Sequence, residues 1–110
     1  MIIYHIAQKN DWSEALETGF FRCESLEKEG FIHCSTAEQI IPVANRFYKD
    51  LKDLVLLYIE QELVSNEIRY ENLEGGEDQF PHIYGKLNLD AVSKSIAFSS
   101  NREGIFEFPD

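Results

Sequence analysis

Three histidines stand out among the residues able to do chemistry near neutral pH. Each is set between apolar or aromatic neighbours: Tyr4-His5-Ile6, Ile32-His33-Cys34 and Pro81-His82-Ile83. A neutral imidazole carries one donor and one acceptor, so in such settings it needs partners at both nitrogens. Taken singly, each reads as a core or rim residue satisfied by its surroundings. Three out of three in a strand-like context is harder to dismiss. If the strands adjoin, these side chains share one cleft and can hydrogen-bond ligand hydroxyls or phosphate.

Other candidates lie close to them in the chain. Ser35 and Thr36 follow His33, and Ser35-Thr36-Ala37-Glu38 has the form of a capping box with Ser35 at the N-cap and Glu38 at N3. A helix start also offers free N–H groups to an anion, with Ser35 as an extra donor. Glu71 ends an alternating stretch just before Gly75-Gly76, where a carboxylate can act as a base or orient a sugar hydroxyl. Tyr84 and Tyr4 add stacking faces or hydroxyl donors. Capping, solvation and core packing remain ordinary alternatives for each of these residues. The two cysteines, Cys23 and Cys34, read as free thiols in a reducing compartment, with a nucleophilic Cys34 beside a histidine as the other reading. No C-x-x-C or H-x-x-x-H spacing exists, so no metal site is expected.

The elements that must position these residues follow from periodicity. Residues 2–7 are rich in β-branched and aromatic types and predict a strand. Asn10-Asp11 caps a helix from Trp12 to about Thr18, with Gly19 as its stop. Residues 22–29 read as a loop. Phe31–Ser35 is a second strand, leading into a helix through Ile40, Ala44 and Phe47 towards Asp50. Pro42 should kink or divide that helix. Leu54–Ile59 is a continuous apolar run and the best candidate for a central strand. Residues 67–71 alternate as a half-buried strand, residues 75–79 form an acidic loop, and Phe80–Gly85 enters another strand. A turn at 90–92 precedes strands near 95–98 and 105–108. Six or seven strands and two helices, both in the first half, predict an α+β fold.

Length and charge narrow the class. The 110 residues suit a single domain spanning 1–110, and such a chain can bury roughly two thirds of its extended surface without disulfides or structural metal. No apolar run approaches membrane-spanning length, and the start lacks the features of a secretory signal, so a cytoplasmic protein is expected. The net charge of -10, with scattered arginines, repels phosphate backbones and argues against nucleic-acid binding. A local pocket for one small ligand is compatible with that charge. Neither a P-loop nor a dinucleotide fingerprint is present.

Taken in order, Tyr4-His5-Ile6, Trp12, Ser25-Leu26, Glu29–Ser35, Ala44-Asn45-Arg46-Phe47-Tyr48, Tyr70-Glu71 and Phe80–Gly85 resemble a small bacterial family catalogued as domain of unknown function 952. The resemblance covers nearly the whole chain, and the Gly30–Ser35 and Phe80–Gly85 segments are its most specific parts. It implies a fold similar to ADP-ribosyltransferases, in which two small, mostly antiparallel sheets form a split β-core around a nicotinamide dinucleotide cleft. By that likeness NAD is the implied ligand. His5 takes the place of a first-strand residue that contacts it, and His33 or Ser35 falls near a second-strand position. The relatives by fold carry a catalytic Glu on a later strand. Here that strand bears His82 and Tyr84, and a carboxylate must come from Glu71 on the strand before. The sequence therefore leaves three readings: an enzyme acting on NAD or an ADP-ribose-like compound, a non-catalytic module for a small ligand or protein partner, and a different small-molecule hydrolase or transferase with a histidine as general base.

Overall fold

The structure, a computed structural model, describes residues 1–72, 76 and 78–109. Gly75 and Glu77 of the expected acidic loop lie outside the described residues.

Among the described residues, eight strands and three helices follow in the order β1 (Ile2–Gln8), α1 (Lys9–Thr18), β2 (Phe20–Phe21), α2 (Glu24–Glu29), β3 (Ile32–His33), α3 (Ala37–Phe47), β4 (Leu54–Glu60), β5 (Glu67–Glu71), β6 (Phe80–Tyr84), β7 (Leu87–Asn88) and β8 (Val92–Phe98). Short 3-10 turns at Gln61–Leu63 and Leu89–Ala91 join β4 to β5 and β7 to β8. The strands form three small antiparallel sheets in the orders β1-β4-β8, β2-β7 and β3-β6-β5. The fold is α+β, with three sheets where two were expected and three helices where two were expected.

β4 is the central strand of its sheet, as its unbroken apolar run requires. One face, with Ile3, Ala7, Val55, Leu57 and Ile59, packs with Ile32 and Ile83 of the third sheet and with Ala15 of α1. The opposite face, with Tyr4, Ile6, Leu54 and Leu56, packs under Ile40 and Ala44 of α3 and under Phe106. A strand buried on both faces cannot alternate, which is why its pattern is continuous. Burial of this two-sided core supplies the main stabilising term, at roughly 25 cal/mol per Å² of apolar surface removed from water.

The β1 and β3 sheets meet at one point. Tyr4 and Ser35 exchange both backbone hydrogen bonds, at 2.7 and 2.8 Å, in an isolated antiparallel bridge. The Cys34 N–H, in between, donates to the Pro81 carbonyl at 3.0 Å. The segment 32–35 thus serves β6 with its first half and β1 with its last residue.

That seam moves the helix cap. Ser35 is committed to β1 and buried, so it cannot serve as N-cap of α3. The capping box forms one residue later, between Thr36 and Gln39, with the Thr36 N–H donating to Gln39 Oε1 at 3.0 Å. Pro42 lies inside an uninterrupted helix. The carbonyl it deprives of a partner is that of Glu38, on the exposed side, where water can take over.

Other differences have local causes. α1 begins at Lys9, before the expected cap, and ends as expected at Gly19, whose φ of 92° suits glycine. Residues 24–29 are helical although no residue there is buried; the turn closes on Gly30 (φ 89°) and carries a Lys28–Glu24 pair. Residues 105–108 form no strand. Phe106 instead uses its N–H and carbonyl on the side chain of Asn45, at 2.7 and 3.1 Å. At Gly85 the backbone takes φ 146° and a Cβ would stand 2.5 Å from Asn66 Cγ, so that turn admits only glycine. Among the described residues no helix is long and apolar enough to cross a membrane.

Candidate functional site

The register of the third sheet brings two histidines together. His33 in β3 pairs directly with His82 in β6, and His82 pairs in turn with Arg69 in β5. Side chains alternate across a strand, so His33, Phe80, His82, Tyr84, Glu67, Arg69 and Glu71 share one face. Ile32, Pro81, Ile83 and Ile68 take the other face, where Ile32 and Ile83 enter the core. The two imidazoles stand edge to face with centroids 5.3 Å apart, and the Phe31 ring stacks on His82 at 4.3 Å.

Glu71 organises this face. Its Oε1 accepts hydrogen bonds from the Tyr84 hydroxyl at 2.6 Å and from His82 Nδ1 at 3.0 Å. These two bonds, the Tyr84 one foremost, hold the Glu71 carboxyl below its usual range and push the Tyr84 phenol above its own. An ionised carboxylate only accepts, so His82 carries its proton on Nδ1 and leaves Nε2 bare. His33 is arranged similarly, with Nε2 3.1 Å from Glu29 Oε1 and its side chain 44% exposed. Arg69 stacks over the Tyr84 ring at 4.5 Å while its Nε and Nη2 bind Glu67.

His5 comes from the other sheet. It is 5% exposed, and its Nδ1 lies 2.5 Å from the His33 carbonyl oxygen, to which it donates. Burial lowers its pKa against the smaller upward pulls of that bond and of the Asp11 charge. The bond fixes the tautomer and leaves Nε2 bare. No buried side-chain nitrogen or oxygen lacks a partner among the described residues, so that nitrogen opens on solvent.

Two hollows adjoin these groups. A cavity of about 310 Å³ lies between α3 and the third sheet, lined by His33, His82, Glu71, Ser35 and Phe31 among others. A wider groove of about 790 Å³ runs past His5, lined by the carboxylates of Asp11, Glu14, Glu24 and Glu27 and by the cations of Arg22 and Lys86. His33 and Tyr48 border both. The three histidines are therefore linked through His33, but no one hollow is lined by all three.

Of the other expected residues, Ser35 lines the cavity and Thr36 does not; the Thr36 N–H is spent on Gln39. Tyr84 does not line the cavity and meets its wall through Glu71 and the Phe31 ring. Cys34 also lines the cavity, but it is buried, and burial pushes its thiol up, which disfavours the thiolate a nucleophile needs. Cys23 and Cys34 are free thiols. Among the described residues no group of three or more His, Cys, Asp or Glu is placed to hold a metal ion. Glu29, Val43, Phe47, Tyr48 and Phe80 also line the cavity and are not among the site residues expected from sequence, although all but Val43 stand in the segments that carry the family resemblance. The signal for Glu29 was its place four residues before His33; for Phe47 and Tyr48 it was their position at the end of α3.

Chemically, each imidazole has one nitrogen fixed by an acceptor and the other bare; the acceptor is a carboxylate for His82 and His33 and a backbone carbonyl for His5. Such a carboxylate–histidine pair can accept a proton from water or a hydroxyl and return it. Three solved structures share this fold, all of protein CC0527 from Caulobacter crescentus. Its crystal structure superposes with a TM-score of 0.87 at 29% identity over 97% of this chain and 94% of that one. The crystal structure of a double methionine mutant gives 0.86 over the same shares, and the solution structure gives 0.83 over 96% and 91%. No curated protein matches the chain. Residues 6–95, from the strand of His5 to the middle of β8, match the model of the protein family of unknown function DUF952, and the chain belongs to that family.

Proposed function

We propose that the cavity and the adjoining groove bind one elongated small ligand, NAD or a related ADP-ribose compound, and that His82 acts as its acid–base group. The observation that carries this reading is Glu71 Oε1, which accepts from both His82 Nδ1 and the Tyr84 hydroxyl at the cavity wall. That contact orients a bare Nε2 for proton transfer. The aromatic cavity suits a planar ring, and among the groove's lining residues Arg22 and Lys86 are the groups that would meet phosphates. His5 and His33 would hold ribose or phosphate along the way, with Ser35 as a further donor. Two three-stranded sheets joined at the Tyr4–Ser35 bridge support the reading of the fold as an ADP-ribosylation-like split core.

In the reaction so assigned, a water or hydroxyl oxygen bonds to the ribose carbon. Its proton passes to His82 Nε2, and the ribose–nitrogen bond breaks with its electron pair leaving on nicotinamide. The Glu71 carboxylate stabilises the imidazolium that forms and the positive charge developing on the ribose. Incubation of the pure protein with NAD should release nicotinamide, and His82→Ala should lower the rate by about a hundredfold or more. Absence of both release and calorimetric binding would falsify the assignment.

The second reading is a non-catalytic module of the same site. It is favoured by the engagement of Glu71 Oε1 with two protein donors, which leaves that oxygen less available to a substrate. Its signature is saturable binding, weakened in the His5→Ala variant, with no turnover by the parent protein.

A further inference from the structure

The cavity wall carries a charge character of its own, whose meaning rests on the cavity being a ligand site as proposed. Four aromatic rings line it, from Phe31, Phe47, Tyr48 and Phe80, together with the carboxylates of Glu29 and Glu71. No lysine or arginine is among the lining residues described. Of the arginines nearby, Arg69 is spent on Glu67 and on the Tyr84 ring, and Arg46 stands over the Phe47 ring at 5.1 Å, so Phe31, Tyr48 and Phe80 are the rings with no cation of the protein's own over them among the described contacts. Glu71 is kept ionised by its two donors, and Glu29 faces a half-exposed imidazole.

Such a lining discriminates by charge and by hydration together. Ring faces carry negative quadrupoles and attract a cation held within about 6 Å of their centroids. Carboxylates add to the attraction and repel an anion. A primary ammonium or a metal ion would have to give up a strong hydration shell among these rings. A nitrogen cation without N–H groups is weakly hydrated and loses little. The volume of about 310 Å³ lies at the small end of ligand pockets and suits a head group rather than a whole dinucleotide.

We propose that this cavity takes a permanently cationic, weakly hydrated nitrogen group, either a pyridinium ring or a quaternary ammonium. The neutral form of the same ring is then a poor ligand, and discrimination between charged and neutral forms resides in Glu71, Glu29 and the rings around them.

The test compares probes that differ in charge but hardly in shape. Calorimetric titration with the 1-methylnicotinamide cation and with neutral nicotinamide should show the cation binding about tenfold more tightly. The preference should shrink towards unity in Glu71→Gln. Glu29→Gln, at a more exposed position, should reduce it in part and serves if the first variant fails to fold. Tetramethylammonium competing with the pyridinium probe assigns the site to nitrogen cations in general; its failure to compete narrows the site to the flat ring. Equal affinity for the charged and neutral rings overturns the proposal.

NAD and its reduced form separate this inference from the functional reading. If the reduced dinucleotide binds as tightly as the oxidised one, charge selection fails and the dinucleotide reading stands. If tetramethylammonium binds and neither dinucleotide does, the reverse holds. Binding of none of these probes removes both.

Discussion

At the residue scale, His5 couples proton uptake to folding. Burial depresses its pKa in the folded chain, while in the unfolded chain it titrates near the ordinary value of about 6.5. Above that pH both states hold a neutral ring, and His5 adds no pH dependence. As the pH falls below it, the unfolded state takes up a proton that the folded state refuses. Stability is therefore lost on the acid side, by at most about 1.4 kcal/mol per pH unit for one group, until the lower folded value is reached. His5→Asn keeps a side-chain donor for the His33 carbonyl and removes the titration. Urea denaturation between about pH 7.5 and 5.5 should show a flatter stability profile for this variant than for the parent protein; parallel profiles would assign the slope to other groups. The sequence marked His5 through its apolar neighbours. It could not show that the partner is a backbone carbonyl of His33, because that contact joins two sheets.

At the element scale, α3 is tied to the C-terminal segment by one side chain. Asn45 offers both ends of its amide to the backbone of Phe106, in the manner of a strand neighbour. Phe106 is fully buried and stacks on Phe98 at 4.8 Å, so neither of its backbone groups has water as an easy alternative. Asn45→Ala should cost about 2 kcal/mol, the desolvation penalty of groups left unpaired, and should speed hydrogen exchange at the Phe106 amide. Unchanged exchange at that amide would mean that the segment is held by its rings alone. Residues 105–108 show why the sequence misled here. Ile-Phe-Glu-Phe reads as strand, but the partner is a side chain 61 positions away, a separation that no local pattern reports. β4, β5 and the stop of α1 were legible because their signals are local: an unbroken apolar run, a period of two, and a glycine at a helix end. The two-residue strands β2 and β7 were not, because two residues carry no period.

At the scale of the whole molecule, the α+β class was readable from element order, and the family from motifs spread along the chain. The pairing of His33 with His82 was not, since register across half the chain leaves no trace in one sequence. The same registers set how the chain must fold. Ile2 pairs with Glu60, Ile32 with Ile83 and Leu54 with Phe98, so every three-stranded sheet needs contacts between segments roughly half the chain apart. Among the described residues, β5 and β6 are the one pair of successive strands that are neighbours within a three-stranded sheet. Large loops must close before the pairings that reward closure exist, and the entropic cost falls on the rate. Refolding after dilution from denaturant should accordingly take milliseconds to seconds by stopped-flow fluorescence of Trp12, and a microsecond phase carrying the full amplitude would contradict it. The seam at Ser35 needs both β1 and β6 in place, so the cavity it borders depends on long-range pairings in two sheets at once and on no single local element.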